Sequence, residues 1–200
     1  MSTSHVPYAT DGTDFRGALR FHYVTALKRF AKYFVIFAPL WPLVIVTNLG
    51  YLLPLALVGI VGSAFTMAFF WGRVLWIWKC SRVFRAYPLK FRGPVTKVAM
   101  DGHDLFLRFP GQGDKATMRA RNPLMRSGWP EGIAKGVWFA GDDPFGGAAI
   151  VPGTGELLFM QPKEWGLFAE ERGRAGAERI GRAKRGRIKR ATRWRGIRIG

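Results

Sequence analysis

The sequence predicts a membrane α+β protein: an interfacial helix, a two-helix transmembrane hairpin, a small antiparallel β-barrel-like or rolled-sheet domain, a short helix and a disordered basic tail. Three observations carry this. Residues 33–72 contain no Asp, Glu, Lys, Arg or His. Residues 95–160 alternate short apolar runs with Gly, Pro, Asn and Asp clusters. Residues 172–200 hold twelve Lys or Arg against one acid, Glu178, in a chain of net charge +18. The expected units are 1–12 (disordered lead), 13–32 (interfacial helix), 33–79 (hairpin), 80–162 (β-domain with a helical linker) and 163–200 (short helix and tail).

From a cap at Thr13 or Asp14, Phe15, Leu19, Tyr23, Ala26, Leu27 and Phe30 recur at helical spacing with Arg16, Arg20 and Lys28 between them. This pattern reads as an amphipathic interfacial helix or as an extension of the first span. One span needs about 20 apolar residues, so forty uncharged ones suit two crossings and a tight turn. Asn48 and Gly50 mark the turn, and Pro54 suits the first turn of the returning helix. Pro39 and Pro42 should bend or break the first span. In the second, Ala64, Ala68 and Gly72 share a face, joined nearby by Gly59 and Ser63, a small-residue stripe on which another helix can approach closely, either the first span or a second copy in a homo-oligomer. Trp71, Trp76 and Trp78 with Arg73 and Lys79 read as a headgroup-level belt.

Lys and Arg flank both spans and are missing from the turn, which predicts an inner (cytoplasmic) membrane location with both termini cytoplasmic. The first 20 residues do not have the pattern of a secretory signal. The linker helix should end before Pro88. Strands are expected at 95–100, 105–109, 116–120, 137–140, 148–151 and 156–160, with Asp101 and Gly102 as a two-residue hairpin turn. Gln161 and Pro162 should end the sheet, a short helix should follow over 163–172, and glycines at 173, 176, 181, 186, 196 and 200 should keep the tail disordered.

The segments VFRAYPL (83–89), MRARNPL (118–124), WPEGIAKGVWFAGDDPF (129–145) and GGAAIVPGTGELLFMQ (146–161) resemble a group of uncharacterised actinobacterial membrane proteins with two adjacent spans and a small cytoplasmic domain. That resemblance implies the architecture and no activity.

No residue set identifies a reaction, and no cofactor or metal is called for. Glycine loops for phosphates or dinucleotides, HExxH and GxSxG do not occur. The uncharged stretch has no acid or histidine to relay protons or ions, which argues against a transporter. Asp142 and Asp143 in GDDPFGG are paired carboxylates in composition, but acids beside Pro and Gly ordinarily bond their own turn. Asp101, His103 and Asp104 fall on alternating sides of a strand, and Cys80 has no histidine partner at a recognisable spacing. The leading expectation is a non-catalytic binding or scaffolding module, with a partner surface around Asp142, Asp143, Phe145, Trp129 and Trp138. Anionic phospholipid would be engaged by Arg172, Arg174, Arg179, Arg182, Lys184, Arg185, Arg187, Lys189, Arg190, Arg193, Arg195 and Arg198. The same tail suits nucleic-acid phosphates, and an enzyme using Asp142 and Asp143 is the third reading.

The topology is tested directly. A reporter active only in the cytosol should work when fused after Gly200 and stay silent when inserted at Asn48; activity at Asn48 would indicate a re-entrant hairpin.

Overall fold

The computed structural model describes residues 14–47, 50–110, 117–125 and 128–188. Helix α1 (Phe15–Phe37) opens on Asp14, whose carboxylate accepts from the Gly17 amide at 2.9 Å. It runs without interruption through the expected boundary at residue 32 and breaks only at Ala38 and Pro39, before α2 (Leu40–Thr47). Pro39 has no amide hydrogen and cannot continue the bonding of α1. Pro42 does no such damage, because it sits in the first turn of α2, where an amide would lack an intrahelical partner. Beyond Asn48 and Leu49, which lie outside the described residues, a short 3-10 turn leads into α3 (Leu53–Ala86), with Pro54 in its first turn.

Both helical stretches are long and apolar enough to cross a membrane, and only 6% of the most apolar window of each is buried. A core helix of a soluble domain would show the reverse. Val46 is 83% and Phe65 62% exposed, and exposure of this kind runs along α3 as far as Leu75. From Ile77 onward the same helix is buried: Ile77, Cys80, Val83 and Phe84 are all inside. Twenty residues of α3 before Arg73 measure about 30 Å, the thickness of a bilayer's hydrocarbon core.

The buried end of α3 packs on a curled, seven-stranded antiparallel half-barrel. Its strands are β1 (Lys90–Arg92), β2 (Thr96–Asp101), β3 (Asp104–Arg108), β4 (Met118–Arg121), β5 (Val137–Asp142), β6 (Gly146–Ile150) and β7 (Leu157–Pro162). Their order is β1-β5-β6-β7-β4-β3-β2. Six of these match the strands expected from alternation. β1 escaped notice because three residues between Pro88 and Pro94 show no period. The first hairpin turn is Gly102 and His103, one residue later than expected, with Asp101 opposite Asp104 and Gly102 at φ 58°. Gln161 and Pro162 end the last strand, as expected, with Pro162 still paired opposite Met118.

The curl creates two cores. Inside it, Leu105, Leu107, Met118, Phe139, Leu158 and Met160 pack together. Outside it, Ala140, Ala148, Ile150, Leu157 and Phe159 meet Ile77, Cys80 and Phe84 of α3 and Ala18, Leu19 and Ala26 of α1. Strand β6 is buried on both faces, which is why it is built from Gly, Ala and Ile. The N-terminal half of α1 is therefore a core element of this domain, continuous with the first apolar stretch as the extension reading expects. Ala18, Leu19 and Ala26 of its stripe face protein, while Leu27 is exposed.

His22 joins the layers. Its Nδ1 donates to the Ala18 carbonyl at 2.8 Å and its Nε2 accepts from the Leu157 amide of β7 at 3.5 Å, so both ring nitrogens are used in the neutral form. At 1% exposure neither group has access to water. His22→Leu leaves the Leu157 amide without that acceptor and should lower stability by about 1–3 kcal/mol, read as a fall in denaturation midpoint. Tyr87, also buried, has a hydroxyl with no hydrogen-bond partner among the described residues. Tyr87→Phe should therefore leave the midpoint unchanged or raise it.

Candidate functional site

The two helices meet through one end of the small-residue stripe that the sequence suggests, at Gly59, and through Gly62 beside it. A Cβ at Gly59 would lie 2.8 Å from Leu40 Cβ and 3.0 Å from the Phe37 carbonyl, and one at Gly62 would collide with the Phe37 ring. Gly59 and Gly62 thus admit the broken end of α1. Ala64 and Ala68 are exposed, and Gly72 has nothing within 4 Å of a Cβ position. Of the expected stripe, Gly59 packs the hairpin, whereas Ala64, Ala68 and Gly72 do not.

The tryptophan belt is also redistributed. Trp71 is 55% exposed. Trp76 packs edge-on against Phe159 at 5.3 Å, with Lys79 and Arg121 over its ring at 4.2 and 5.4 Å. Trp78 lies between Arg82 and Arg187, at 5.1 and 4.9 Å.

The GDDPFGG turn, expected as an exposed interaction surface, is locked to other elements. Asp142 accepts two bonds from Arg179, at 2.8 and 2.7 Å, and Asp143 pairs with Arg92. Phe145 is buried in the outer core. The two carboxylates diverge toward different partners. Trp138 packs against the outer core and Trp129 against the inner one, so both belong to packing. Asp104, which the sequence placed beside Asp101 and His103, instead turns to its own strand pair. It accepts 2.7 and 2.9 Å bonds from Arg121 and a further one from Arg119. Burial pushes the Asp104 carboxyl up, but the bonds and charges of Arg121 and Arg119 outweigh it and hold the group below the usual carboxylate range. Cys80 is wholly buried, so no nucleophile is offered there.

A short helical segment falls at residues 165–173, where one was expected, but residues 174–188 are also ordered, contrary to the disorder expected of the tail. Helices α4 (Ala169–Gly173) and α5 (Ala177–Arg185) follow a short 3-10 turn, and Ala183 and Ile188 are buried in the outer core. Gly181 costs α5 about 1 kcal/mol. Packing on α3 and the Arg179–Asp142 bonds outweigh that cost. Arg172 stacks over Trp165 at 4.0 Å and donates to the Pro144 and Trp165 carbonyls; Arg174 pairs with Glu170, and Arg182 with Glu178. These arginines serve the fold. Lys184, Arg185 and Arg187 are exposed, while Lys189, Arg190, Arg193, Arg195 and Arg198 lie outside the described residues.

What remains for a ligand is cationic. Trp78, Arg82, Arg85, Ala86 and Arg185 line a cup of about 350 Å³, in which Arg82 Nε donates to the Arg185 carbonyl at 3.1 Å. A groove of about 380 Å³ lies between α1 and α3. Sequence reasoning missed both, since each joins residues more than 40 positions apart. No family model, curated protein or solved structure matches the chain.

Two measurements test these assignments. Asp142→Asn should release α5, seen as faster tryptic cleavage after Arg179 and Arg182 with the sheet still protected. Because the Asp104 carboxyl is depressed on folding, its stabilisation is complete above an unfolded value of about 3.9 and is lost as pH falls through the lower folded value. Asp104→Asn should flatten the acid limb of the stability profile.

Proposed function

We propose that the chain is a membrane-anchored, non-catalytic binding module. Its sheet domain is held at the cytoplasmic face of the inner membrane by the α1–α3 hairpin, with both termini cytoplasmic, and its tail engages anionic phospholipid. The observation that carries this reading is the exposure of two apolar helical stretches that share a core with the sheet, so that the domain is fixed to its anchor. Lys and Arg gather where those stretches meet the domain, in line with a cytoplasmic domain. The lipid-binding charges would be Lys184, Arg185 and Arg187, which are exposed among the described residues, with Lys189, Arg190, Arg193, Arg195 and Arg198 of the tail.

The cup around Trp78 favours a second reading. Arg82 lies nine residues beyond Arg73, about 14 Å along the helix, whereas the headgroup layer is about 5–8 Å deep. A phosphate held there would come from a soluble polyanion such as nucleic acid.

The readings separate in full-length protein held in nanodiscs of neutral lipid and titrated with phosphatidylglycerol vesicles or duplex DNA at about 150 mM salt. The lipid reading expects tighter binding to vesicles, a blue shift of tryptophan emission, and loss of most of this binding on truncation after Ile188. Tighter binding to DNA, with no shift on vesicles, would transfer the assignment to nucleic acid.

A further inference from the structure

We infer that the groove between α1 and α3 is a binding site for one anionic phospholipid, with the phosphate between Arg29 and Arg73 and one acyl chain lying against the phenylalanines below. The inference rests on the membrane-anchored reading and concerns residues distinct from the tail.

The groove is polar at one end only. Arg29 and Arg73 stand at its mouth, beside the sheet domain, where Arg29 donates to the Leu124 carbonyl at 3.3 Å. Below them the lining is aromatic: Phe30 and Phe70 meet as tilted rings at 4.7 Å between centroids, and Phe37, Phe65 and Phe69 continue inward. The hydroxyl of Thr66 is already committed, donating to the Gly62 carbonyl at 2.8 Å. From Arg73 to Gly62 is eleven residues, about 16 Å along α3. That is the depth of one leaflet, half of a hydrocarbon core about 30 Å thick. Phe65 and Phe69 are more than half exposed, so the groove opens sideways toward lipid.

Charge identifies the head. Arg29 and Arg73 line the same groove and repel each other, no carboxylate lines it, and residues 33–72 contain no acid. Arg73 Nε is buried and has no hydrogen-bond partner among the described residues. Two guanidinium groups facing each other at the edge of an apolar groove are costly unless an anion lies between them. A phosphodiester meets that need, since each guanidinium presents a planar fork to its oxygens. A choline head would bring a third cation to the mouth, with Lys28 and Lys32 exposed on the same helix. The preferred lipid is therefore net anionic, and a headgroup without its chain would leave the aromatic walls unfilled.

The test uses the full chain in neutral detergent, incubated with dioleoyl phosphatidylglycerol or dioleoyl phosphatidylcholine, gel-filtered and weighed by native mass spectrometry. One phosphatidylglycerol per chain should be retained in preference to phosphatidylcholine. Arg29→Gln with Arg73→Gln should weaken retention about tenfold or more, as expected for losing a charge-assisted bond. Truncation after Ile188 should leave it unchanged. Thr66→Phe, which fills the groove and keeps both charges, should also weaken retention, so the inference stays testable if the double variant does not fold. Equal retention of both lipids, unchanged retention in the double variant or in Thr66→Phe, loss on truncation, or displacement by millimolar inorganic phosphate would each overturn the site. Release of the chain from membranes by alkaline carbonate would instead remove the anchored reading and this site with it. A chain that stays in the membrane but shows no lipid preference would remove the site alone.

Discussion

The core shared by α1, α3 and the outer face of the curled sheet is the contact on which the rest of the molecule depends. Ala18, Leu19 and Ala26 from one helix and Ile77, Cys80 and Phe84 from the other close over Ala148, Ile150, Leu157 and Phe159. The His22 bridge from Ala18 to Leu157 pins the helix to the strand within that layer. A half-barrel with one face uncovered would expose a wide apolar surface. Here the covering elements are the same helices whose far ends carry the uncovered apolar segments. The two apolar helices and the sheet therefore share one core, and the orientation of the sheet follows from the direction of the helices.

Arginine is used in two different ways. Where the fold places a carboxylate within reach, as for Arg179 on Asp142, Arg121 on Asp104 and Arg92 on Asp143, the guanidinium fixes one element to another. Desolvation there is offset by paired bonds. Where no acid is near, at Arg29 and Arg73 and in the Trp78 cup, the charge stands beside aromatic surface. Such sites are suited to anions from outside the chain. A net charge of +18 does not distinguish these two populations.

Much of the architecture was legible in the chain itself because it depends on local composition. Forty uncharged residues, six alternating segments and their turn residues predicted two long apolar helices and a rolled antiparallel sheet. What misled was always non-local. The stripe of α1 seemed to suit a headgroup layer because amphipathicity reports a boundary between apolar and polar, not whether the apolar side meets lipid or protein. The glycines of residues 173–186 seemed to forbid a helix because propensity omits the packing of Ala183 and Ile188 against α3.

By itself, then, the sequence determined the period of each element, the length of the uncharged segment and the surplus of positive charge, since these are properties of neighbouring residues. Only the tertiary structure decided which acids meet which arginines, that Gly59 and Gly62 rather than Ala64 and Ala68 admit the first helix, and that Arg29 and Arg73 face each other across a groove. The reason is physical. Pair energies depend on distances between residues remote in the chain, and those distances exist only once the core has closed.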